Sequence, residues 1–353
     1  STPLYSSAAS DVYKRQDYGR PTKMAARAYM AKVYLYQSKW KECLEACDEV
    51  IQSGKYELFP DFRNVFLPEN DNCSEIIFAI QLSINDGSPN NENGSYGDRL
   101  LPPGGPYPVY GFLRPTQNLV NAYKTDVKGL PYNDGKDVSE NDYVDVRLDH
   151  TLARPNIPFM DVQLYDWTPR EASVYGPYSP KKRLVSLNST YYSPIWPYVN
   201  ALNFYVIRYA DLLLWRAEAA IETGDLETGR KYINMIRERA KNTQHVKTMD
   251  QSQDAANYKV GVYDEPFKSK NEAVQALRME RRLEMAHEGI RFFDLVRWGV
   301  ADEVINAYIA KEKVFRSHLQ NAHFVKGKHE YFPIPQSMID ICGTEVMKQN
   351  PGY

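Results

Sequence analysis

The sequence predicts a mostly α-helical fold, a tetratricopeptide-like scaffold of helical hairpins that carries long, irregular, aromatic-rich loops. Residues 22–53 and 207–240 each show the apolar periodicity of two paired helices. Residues 83–203, which lie between them, are rich in Gly, Pro, Asn, Asp, Ser and Tyr and predict one helix only, at residues 116–124. Residues 273–299 combine paired charges with apolar bulk, which indicates a packed helix.

The first hairpin is predicted from two apolar faces with a break between them. The helices are broken near Ser38, and Gly54 ends the second helix. The apolar faces consist of Ala28, Ala31, Tyr34 and Leu35 in the first helix, and of Cys43, Ala46, Cys47, Val50 and Ile51 in the second.

The second hairpin has the same plan, with a turn at residues 223–225. In both hairpins two small residues lie twelve positions apart, Ala31 with Cys43 and Ala217 with Gly229. Two helices approach closely only where neither carries a bulky side chain at the crossing, and this spacing is typical of tetratricopeptide-like hairpins.

The segment at residues 273–299 places charges where a solvated helix would not need them. Leu, Ile, Phe, Val and Trp side chains crowd the same segment. We therefore expect the guanidinium groups to bind carboxylates within packed structure, and the segment to be architectural rather than catalytic. Its opposite charges recur at three- and four-residue spacings, which pair on a helix, and they are Arg278, Glu280, Arg281, Arg282, Glu284 and Glu288.

The same segment, from residue 278 to residue 299, resembles a signature of the SusD/RagB family. Members of this family are surface lipoproteins with which Gram-negative bacteria capture nutrients, mostly glycans. Residues 205–224 are similar to the family's IRYADVLLMYAEA helix, and residues 234–240 to its INxIRxRA stretch. Residues 331–336 and 349–353 resemble its C-terminal signature. Five elements in the family's order extend the resemblance over nearly the whole chain.

The resemblance implies a structural role for ten residues and a packing role for His287, which stands where the family usually has Phe or another bulky residue. The ten are Arg208, Glu218, Arg281, Arg282, Glu284, Glu288, Arg291, Asp294, Arg297 and Trp298.

The resemblance also implies a domain organisation. Residues 17–353 are expected to form one SusD-like domain, with a helical hairpin and following segment at 17–82, a loop-rich binding region at 83–203 and the signature region at 204–353. Residues 1–16 show no helical period and are expected to be a non-native or disordered leader. Family members begin with a secretory signal, a lipidated Cys and several helices, so the chain is expected to be truncated at its N-terminus.

Composition excludes several classes of partner and site. A net charge of −2 gives no long-range attraction to nucleic acid or anionic lipid, and no apolar run is long enough to span a bilayer. The cysteines, Cys43, Cys47, Cys73 and Cys342, lack the spacing of a metal site, so free thiols are expected and neither a metal nor a cofactor is predicted. A Cys73–Cys342 bridge is left open.

No residue set predicts catalysis. The six histidines are scattered, no Ser or Cys stands in the context of a nucleophile, and Gly104-Gly105 lies between prolines rather than before a helix. A glycoside hydrolase needs two carboxylates across a cleft, and 45 acidic residues leave that hypothesis open. We expect a protein that is not an enzyme.

Carbohydrate recognition is the better interpretation of the loop-rich region. It needs flat aromatic faces against sugar rings, with amide or charged groups at their edges. The candidate glycan-binding residues are Trp167, Trp196, Tyr165, Tyr191, Tyr192, Tyr107 and Tyr110, with Tyr175, Tyr178 and Tyr198 as further platforms. The candidate edge groups are Asn188, Asn200, Asp166 and Arg170.

The function that the resemblance implies is glycan capture without catalysis. The chain would belong to a lipid-anchored subunit on the outward-facing surface of the outer membrane, which captures oligosaccharide and passes it to a SusC-like TonB-dependent transporter. The alternative is a subunit for peptide uptake, or for docking to the transporter, with no sugar site. Tyr-rich loops serve peptides as well as sugars, so the sequence leaves this choice open.

Overall fold

The computed structural model describes residues 19–96, 100–101, 107, 111–160, 163–165, 169 and 171–353. The chain forms two compact units, unit 1 at residues 1–287 and unit 2 at residues 288–353. The leader predicted at residues 1–16 lies outside the described residues, and the single domain predicted for residues 17–353 stays a prediction.

Helices are the main regular elements, which confirms the predicted fold class. Those of unit 1 are α1 (Lys23–Tyr36), α2 (Trp40–Gln52), α3 (Gln117–Ala122), α4 (Arg147–Thr151), α5 (Ala172–Tyr175), α6 (Tyr209–Glu222), α7 (Leu226–Lys241) and α8 (Lys270–Glu284). Those of unit 2 are α9 (Arg291–Arg297), α10 (Ala301–Glu312) and α11 (Gln336–Cys342).

The two predicted hairpins are α1–α2 and α6–α7. Ser38 takes a positive φ of 55° between α1 and α2, which confirms the break. The Asp225 side chain caps α7 by accepting a hydrogen bond from the Thr228 backbone N–H at 3.0 Å. At Gly229 an added Cβ would lie 2.4 Å from Cγ1 of the buried Ile221, so α6 and α7 touch where the small-residue spacing predicts.

The core of unit 1 lies between these hairpins and α8. Trp215 of α6 is 1% exposed at its centre, and α6 packs against α2, α7 and α8. α6 is buried on nearly every face, which explains why its sequence is apolar almost throughout. The hairpins and α8 thus form the largest buried cluster of unit 1.

A two-stranded sheet holds both ends of the loop-rich region. β1 (Ile76–Ile80) pairs antiparallel with β8 (Phe204–Arg208), and Ile80 lies opposite Phe204. The region leaves at the end of β1 and returns at the start of β8, so its first and last residues are neighbours. The described strands within it are two residues long and pair as β2 (Lys124–Thr125) with β3 (Tyr143–Val144), β4 (Leu152–Ala153) with β7 (Ser179–Pro180), and β5 (Pro158–Phe159) with β6 (Gln163–Leu164).

The helix predicted at residues 116–124 is shorter than expected. α3 begins after Thr116, whose Oγ1 accepts a hydrogen bond from the Leu119 backbone N–H at 3.2 Å. It ends before Lys124, which belongs to β2. The Lys124 Nζ lies 3.0 Å from a carboxylate oxygen of both Asp134 and Asp142, and this double ion pair fixes the extended backbone there. The sequence also missed the short helices α4 and α5.

Glu280 and Glu284 of α8 bind arginines of other elements. This corrects the prediction that they pair with arginines three or four residues away on their own helix. Glu280 and Glu284 lie on one face of α8, and this face meets arginines of α4, β8 and α7. Four buried carboxylates and four buried arginines bind one another in this network, which consists of Glu75, Asp145, Glu280 and Glu284 with Arg147, Arg208, Arg237 and Arg239.

The other predicted structural residues of unit 1 are also packed. Arg281 is 2% exposed and lies 2.8 Å from a carboxylate oxygen of Asp211. Arg282 donates to the Asn118 side-chain oxygen at 2.6 Å. Glu218 is 3% exposed on α6. These positions fit an architectural role for the segment.

Unit 2 contains the remaining residues of the segment. The Arg297 Nη2 lies 2.8 Å from Asp294 Oδ1, and its guanidinium carbon lies 4.9 Å from the Trp298 ring centroid. Arg291 lies 6.0 Å from the same ring. Glu288 is half-buried. Two guanidinium groups thus lie close to the ring of Trp298.

None of the described helices is long and apolar enough to cross a membrane. The four cysteines are free, with Cys43 and Cys47 buried and Cys73 and Cys342 half-buried. The Cys73–Cys342 bridge that the sequence left open is not formed in this structure.

Candidate functional site

The fold places two loops side by side at the end of the β1–β8 sheet. We name residues 83–96 the Asp86 loop and residues 189–203 the Trp196 loop. The Leu82 backbone N–H donates to the Asn203 side-chain oxygen at 2.8 Å, where one loop leaves and the other returns. Further along, the Ser95 N–H donates to the Asn200 carbonyl at 2.7 Å. Because backbone bonds join the loops, they present one surface.

The Trp196 loop is a hairpin-like turn with an aromatic tip. Its arms are held by hydrogen bonds from the Ser193 N–H to the Val199 carbonyl at 2.8 Å and from the Ala201 N–H to the Tyr191 carbonyl at 3.0 Å. Val199 is fully buried at the base, and a Cβ on Gly94 would lie 2.7 Å from its Cγ2. The packed base leaves the tip to project outward.

At the tip the side chains face solvent. Trp196 is 59% exposed and Ile195 is 73% exposed. The Tyr198 ring lies edge-on to the indole, with ring centroids 5.8 Å apart and planes at 89°. Tyr191, on the first arm, is 38% exposed. The surface therefore offers a large aromatic platform and a second, smaller one.

The Asp86 loop is organised around one carboxylate. Asp86 accepts hydrogen bonds from the Ser83 hydroxyl, from the Asn93 side-chain amide at 2.8 Å and from the Ser88 backbone N–H at 2.9 Å. These bonds, led by the Ser83 hydroxyl, hold the pKa of Asp86 well below its usual range. The carboxylate is thus a fixed negative charge, and it orders a segment rich in exposed amides.

The predicted platforms Tyr107 and Tyr165 are buried, which corrects the interpretation of these two as exposed faces. The Tyr107 ring lies edge-on to Phe159 with centroids 5.4 Å apart, and Tyr165 packs on the same ring at 5.9 Å. The Tyr165 hydroxyl donates to the Ser179 hydroxyl oxygen at 2.9 Å, and burial raises the pKa of Tyr165 to about 12. Both rings form a core beneath the loops.

The other predicted side chains are divided between surface and interior. Tyr192 is half-buried, with its ring centroid 6.4 Å from that of Tyr107. Asn200 is 5% exposed and its side-chain oxygen accepts from the Leu202 N–H, so it is a structural residue rather than an edge group. Asn188 is exposed, as an edge group would be, and Tyr175 is 44% exposed. The Tyr178 hydroxyl donates to Gln117.

Four predicted site residues lie outside the described residues. They are Trp167, Tyr110, Asp166 and Arg170. Their roles stay predictions from the sequence.

The Asp86 loop falls within the predicted binding region at residues 83–203, but sequence reasoning named none of its residues as a candidate. Asn90 and Asn93 are exposed there, beside the half-buried Asn91, whose side-chain amide donates to the Ser193 hydroxyl at 3.4 Å. The signal was the run of Asn, Asp, Ser and Gly in residues 83–95, which is typical of turns held by side-chain to backbone bonds. Such a run predicts a turn but not which other loop the turn meets.

No three His, Cys, Asp or Glu side chains gather closely enough to hold a metal ion in the part of the chain that the structure describes. The chemistry that this surface offers is aromatic stacking together with hydrogen bonding by amides, hydroxyls and carboxylates.

Comparison with known proteins gives the family. The model of the SusD family matches residues 74–353. A SusD-like protein of Formosa agariphila is 25% identical over 94% of this chain and 59% of its own length, and one of Bacteroides ovatus is 23% identical over 98% of this chain and 61% of its own length. The chain therefore spans about three fifths of the length of these curated relatives.

Solved structures show the same fold. The surface glycan-binding protein A of Bacteroides thetaiotaomicron, solved in complex with laminarihexaose, superposes with a TM-score of 0.66 at 22% identity, over 96% of this chain and 66% of that chain. A SusD-like protein of Bacteroides fragilis gives a TM-score of 0.68 at 23% identity, over 97% of this chain and 67% of that chain. With a family model that matches most of its length, the chain belongs to the SusD family.

Proposed function

We propose that this chain is a glycan-binding protein that captures oligosaccharide without cleaving it, and that the Trp196 and Asp86 loops form its binding surface. The observation that carries the proposal is the exposed indole of Trp196 on a loop whose base is packed and hydrogen-bonded. A large apolar ring held in water by a fixed backbone is suited to cover the apolar face of a pyranose. Exposed amides of the neighbouring loop are positioned to bond hydroxyl groups.

Relatives support glycan as the ligand class. The structures with this fold include surface glycan-binding proteins of two Bacteroides species and a laminarin-binding SusD-like protein. One was solved with a bound hexasaccharide of laminarin. Aromatic stacking contributes on the order of 1 kcal/mol for each platform beyond its buried area.

The expected strength of binding is suited to a role in capture and delivery. Two or three platforms with a few hydrogen bonds, less the cost of association, suggest a dissociation constant of roughly micromolar to millimolar. Such weak binding is suited to capture followed by release. In the full-length protein we place this chain on the outward-facing surface of the outer membrane, held by an N-terminal lipid anchor, where it passes oligosaccharide to a SusC-like TonB-dependent transporter.

The first test removes the indole. We expect Trp196→Ala to lower affinity for an oligosaccharide that the parent binds at least several-fold, as measured by isothermal titration calorimetry. The melting temperature should stay the same, because the side chain is mostly exposed and leaves no buried cavity. Tyr132→Ala is the matched control, since Tyr132 is a 48% exposed aromatic residue outside both loops.

Unchanged affinity in Trp196→Ala would remove the site assignment. Binding of peptides in place of sugars would favour the alternative role in peptide uptake. Incubation with polysaccharides should release no new reducing ends, and their appearance would favour a hydrolase instead. Trp167→Ala is expected to act like Trp196→Ala if the predicted second tryptophan platform belongs to the same site.

A further inference from the structure

The two loops carry negative charge and no positive charge of their own. Residues 83–96 contain two carboxylates, Asp86 and Glu92, and no Lys or Arg. Residues 184–204 contain no charged residue at all. The surface proposed to bind glycan is therefore neutral on one side and acidic on the other.

Contacts between elements add a third carboxylate. Glu69 is exposed, and its Oε1 lies 3.5 Å from the Ser189 hydroxyl at the start of the Trp196 loop. Glu92 is exposed on the Asp86 loop. Asp86 itself is held in place by hydrogen bonds to the loop around it. Three carboxylates thus belong to or border the two loops.

The cations that precede the Trp196 loop are committed to other structure. Lys181 is 3% exposed and its Nζ donates to the Asp149 and Pro158 carbonyls at 2.6 and 3.0 Å. Lys182 is 1% exposed and donates to the Glu284 carbonyl at the end of α8 at 2.7 Å. Both ammonium groups bond main chain in the interior of unit 1, away from the loop surface.

The third cation, Arg183, lies at the sheet end. Its guanidinium carbon is 4.9 Å from the centroid of Phe204, the first residue of β8. It also acts on Asp71, where its charge lowers a pKa that burial raises. These contacts place the charge of Arg183 at the base of the Trp196 loop, near the Asp71 carboxylate that offsets it.

We infer that this surface selects neutral oligosaccharides and rejects polyanionic glycans, a class that includes polyuronates and sulfated polysaccharides. The inference rests on the proposed function. Sugar hydroxyls donate well to carboxylates, so Glu69, Asp86 and Glu92 favour a neutral ligand. A uronate or sulfate brought to the same surface meets like charge with no described cation of the two loops to bind it, and a polymer repeats that repulsion along its length.

The experiment compares two ligand classes on matched proteins. Laminarin, xyloglucan and galactan serve as neutral probes, and polygalacturonate, alginate and chondroitin sulfate as anionic probes, in affinity electrophoresis at about 20 and 500 mM salt. The parent should bind at least one neutral probe, and Trp196→Ala should weaken that binding. At low salt the parent should bind every anionic probe at least about tenfold more weakly than this neutral probe.

Charge reversal tests the carboxylates directly. Glu69→Lys and Glu92→Lys should each raise the ratio of anionic to neutral affinity by at least about threefold at 20 mM salt, and most of that gain should disappear at 500 mM because ions screen exposed charges. Glu227→Lys, an exposed change on α7 outside the loops, is the control and should leave the ratio as in the parent.

The outcomes separate this inference from the proposed function. An anionic probe that binds more tightly than every neutral one, and that Trp196→Ala weakens, overturns the charge selectivity and leaves glycan binding standing. The charge selectivity is also overturned if Glu69→Lys and Glu92→Lys leave the ratio of anionic to neutral affinity unchanged. Absence of binding to every probe of both classes overturns the proposed function as well.

Discussion

At the residue scale, Glu284 is a buried carboxylate that three arginines bind. It is fully buried and accepts hydrogen bonds from Arg147 at 3.0 Å, Arg208 at 3.2 Å and Arg239 at 2.5 Å. Burial alone would raise the pKa of its carboxyl, but the three guanidinium groups hold that pKa well below its usual range. One carboxylate therefore ties α8 to α4, β8 and α7.

Glu284→Gln should lower the free energy of unfolding by about 3–5 kcal/mol. The amide keeps the shape of the side chain but leaves three buried arginines short of a negative charge. Urea denaturation followed by tryptophan fluorescence measures the loss. Glu227→Gln is the matched control, because Glu227 pairs with Arg230 on the exposed side of α7, where solvent screens the pair, and its loss should be much smaller. Equal losses in the two variants would contradict a network role for Glu284.

The sequence could predict that these charges are buried but not which partners they meet. Spacing along α8 and the aromatic bulk around it indicate packed ion pairs. Arg147 and Glu75, however, lie far from α8 in the sequence, in segments that carry no charge pattern of their own. Arg147 binds Glu280 and Glu284 directly, and Glu75 joins the network through Arg208 and Arg239. Tertiary packing makes these pairs, and local sequence does not encode it.

At the element scale, Asn203 joins the two loops at their common base. It is 3% exposed, its side-chain oxygen accepts from the Leu82 N–H at 2.8 Å and its amide donates to Gln81 at 3.1 Å. Its own backbone N–H donates to the Asp71 carboxylate at 3.1 Å. The residue thus fixes where the Asp86 loop leaves β1 relative to where the Trp196 loop enters β8.

Asn203→Ala should make both loops more mobile, although Asn203 is not proposed to contact the ligand. It leaves the Leu82 N–H without its acceptor, which costs about 1–3 kcal/mol when the group is buried. We expect faster hydrogen exchange at Leu82 and Ser95 and, through displacement of Trp196, a several-fold loss of glycan affinity. Asn257→Ala, which removes one exposed hydrogen bond to the Glu140 carbonyl, is the control and should change neither. Normal exchange at Leu82 in Asn203→Ala would contradict this role.

Element-level prediction succeeded for the helices of the two hairpins and only partly for the loop-rich region. The hairpins were predictable because periodicity and small-residue spacing are local signals. Tyr165 and Trp196 stand in loops of similar composition, yet one ring is buried and the other exposed. The difference arises because the Tyr165 N–H and carbonyl bond the Ile157 carbonyl and the Asn156 N–H, which draws its ring onto Phe159. This pairing is a local hairpin of two-residue strands, too short to leave an alternating pattern in the sequence.

At the scale of the whole molecule, stability should depend on pH through buried groups that act in opposite directions. Burial raises the pKa of Asp71 to about 6, so the folded chain takes up a proton there before the unfolded chain does, and this site stabilises as pH falls. His150 of α4 acts in the other direction. It is 7% exposed, and its Nε2 lies 2.8 Å from the Gln244 carbonyl, to which the neutral ring donates.

His150→Gln isolates the histidine from the other titrating groups. Burial, with the nearby Lys181 charge, lowers the pKa of His150 to about 4, against about 6.5 in the unfolded chain. Stability is therefore lost as pH falls from about 6.5 to about 4, because only the unfolded chain binds the proton in that range. A glutamine amide keeps the donor to Gln244 and does not titrate. Between pH 7 and pH 4 the free energy of unfolding of the variant should rise relative to that of the parent by about 3 kcal/mol, as measured by urea denaturation. His323→Gln, an exposed change in unit 2, is the control. A difference between variant and parent that stays constant across this range would contradict the assignment.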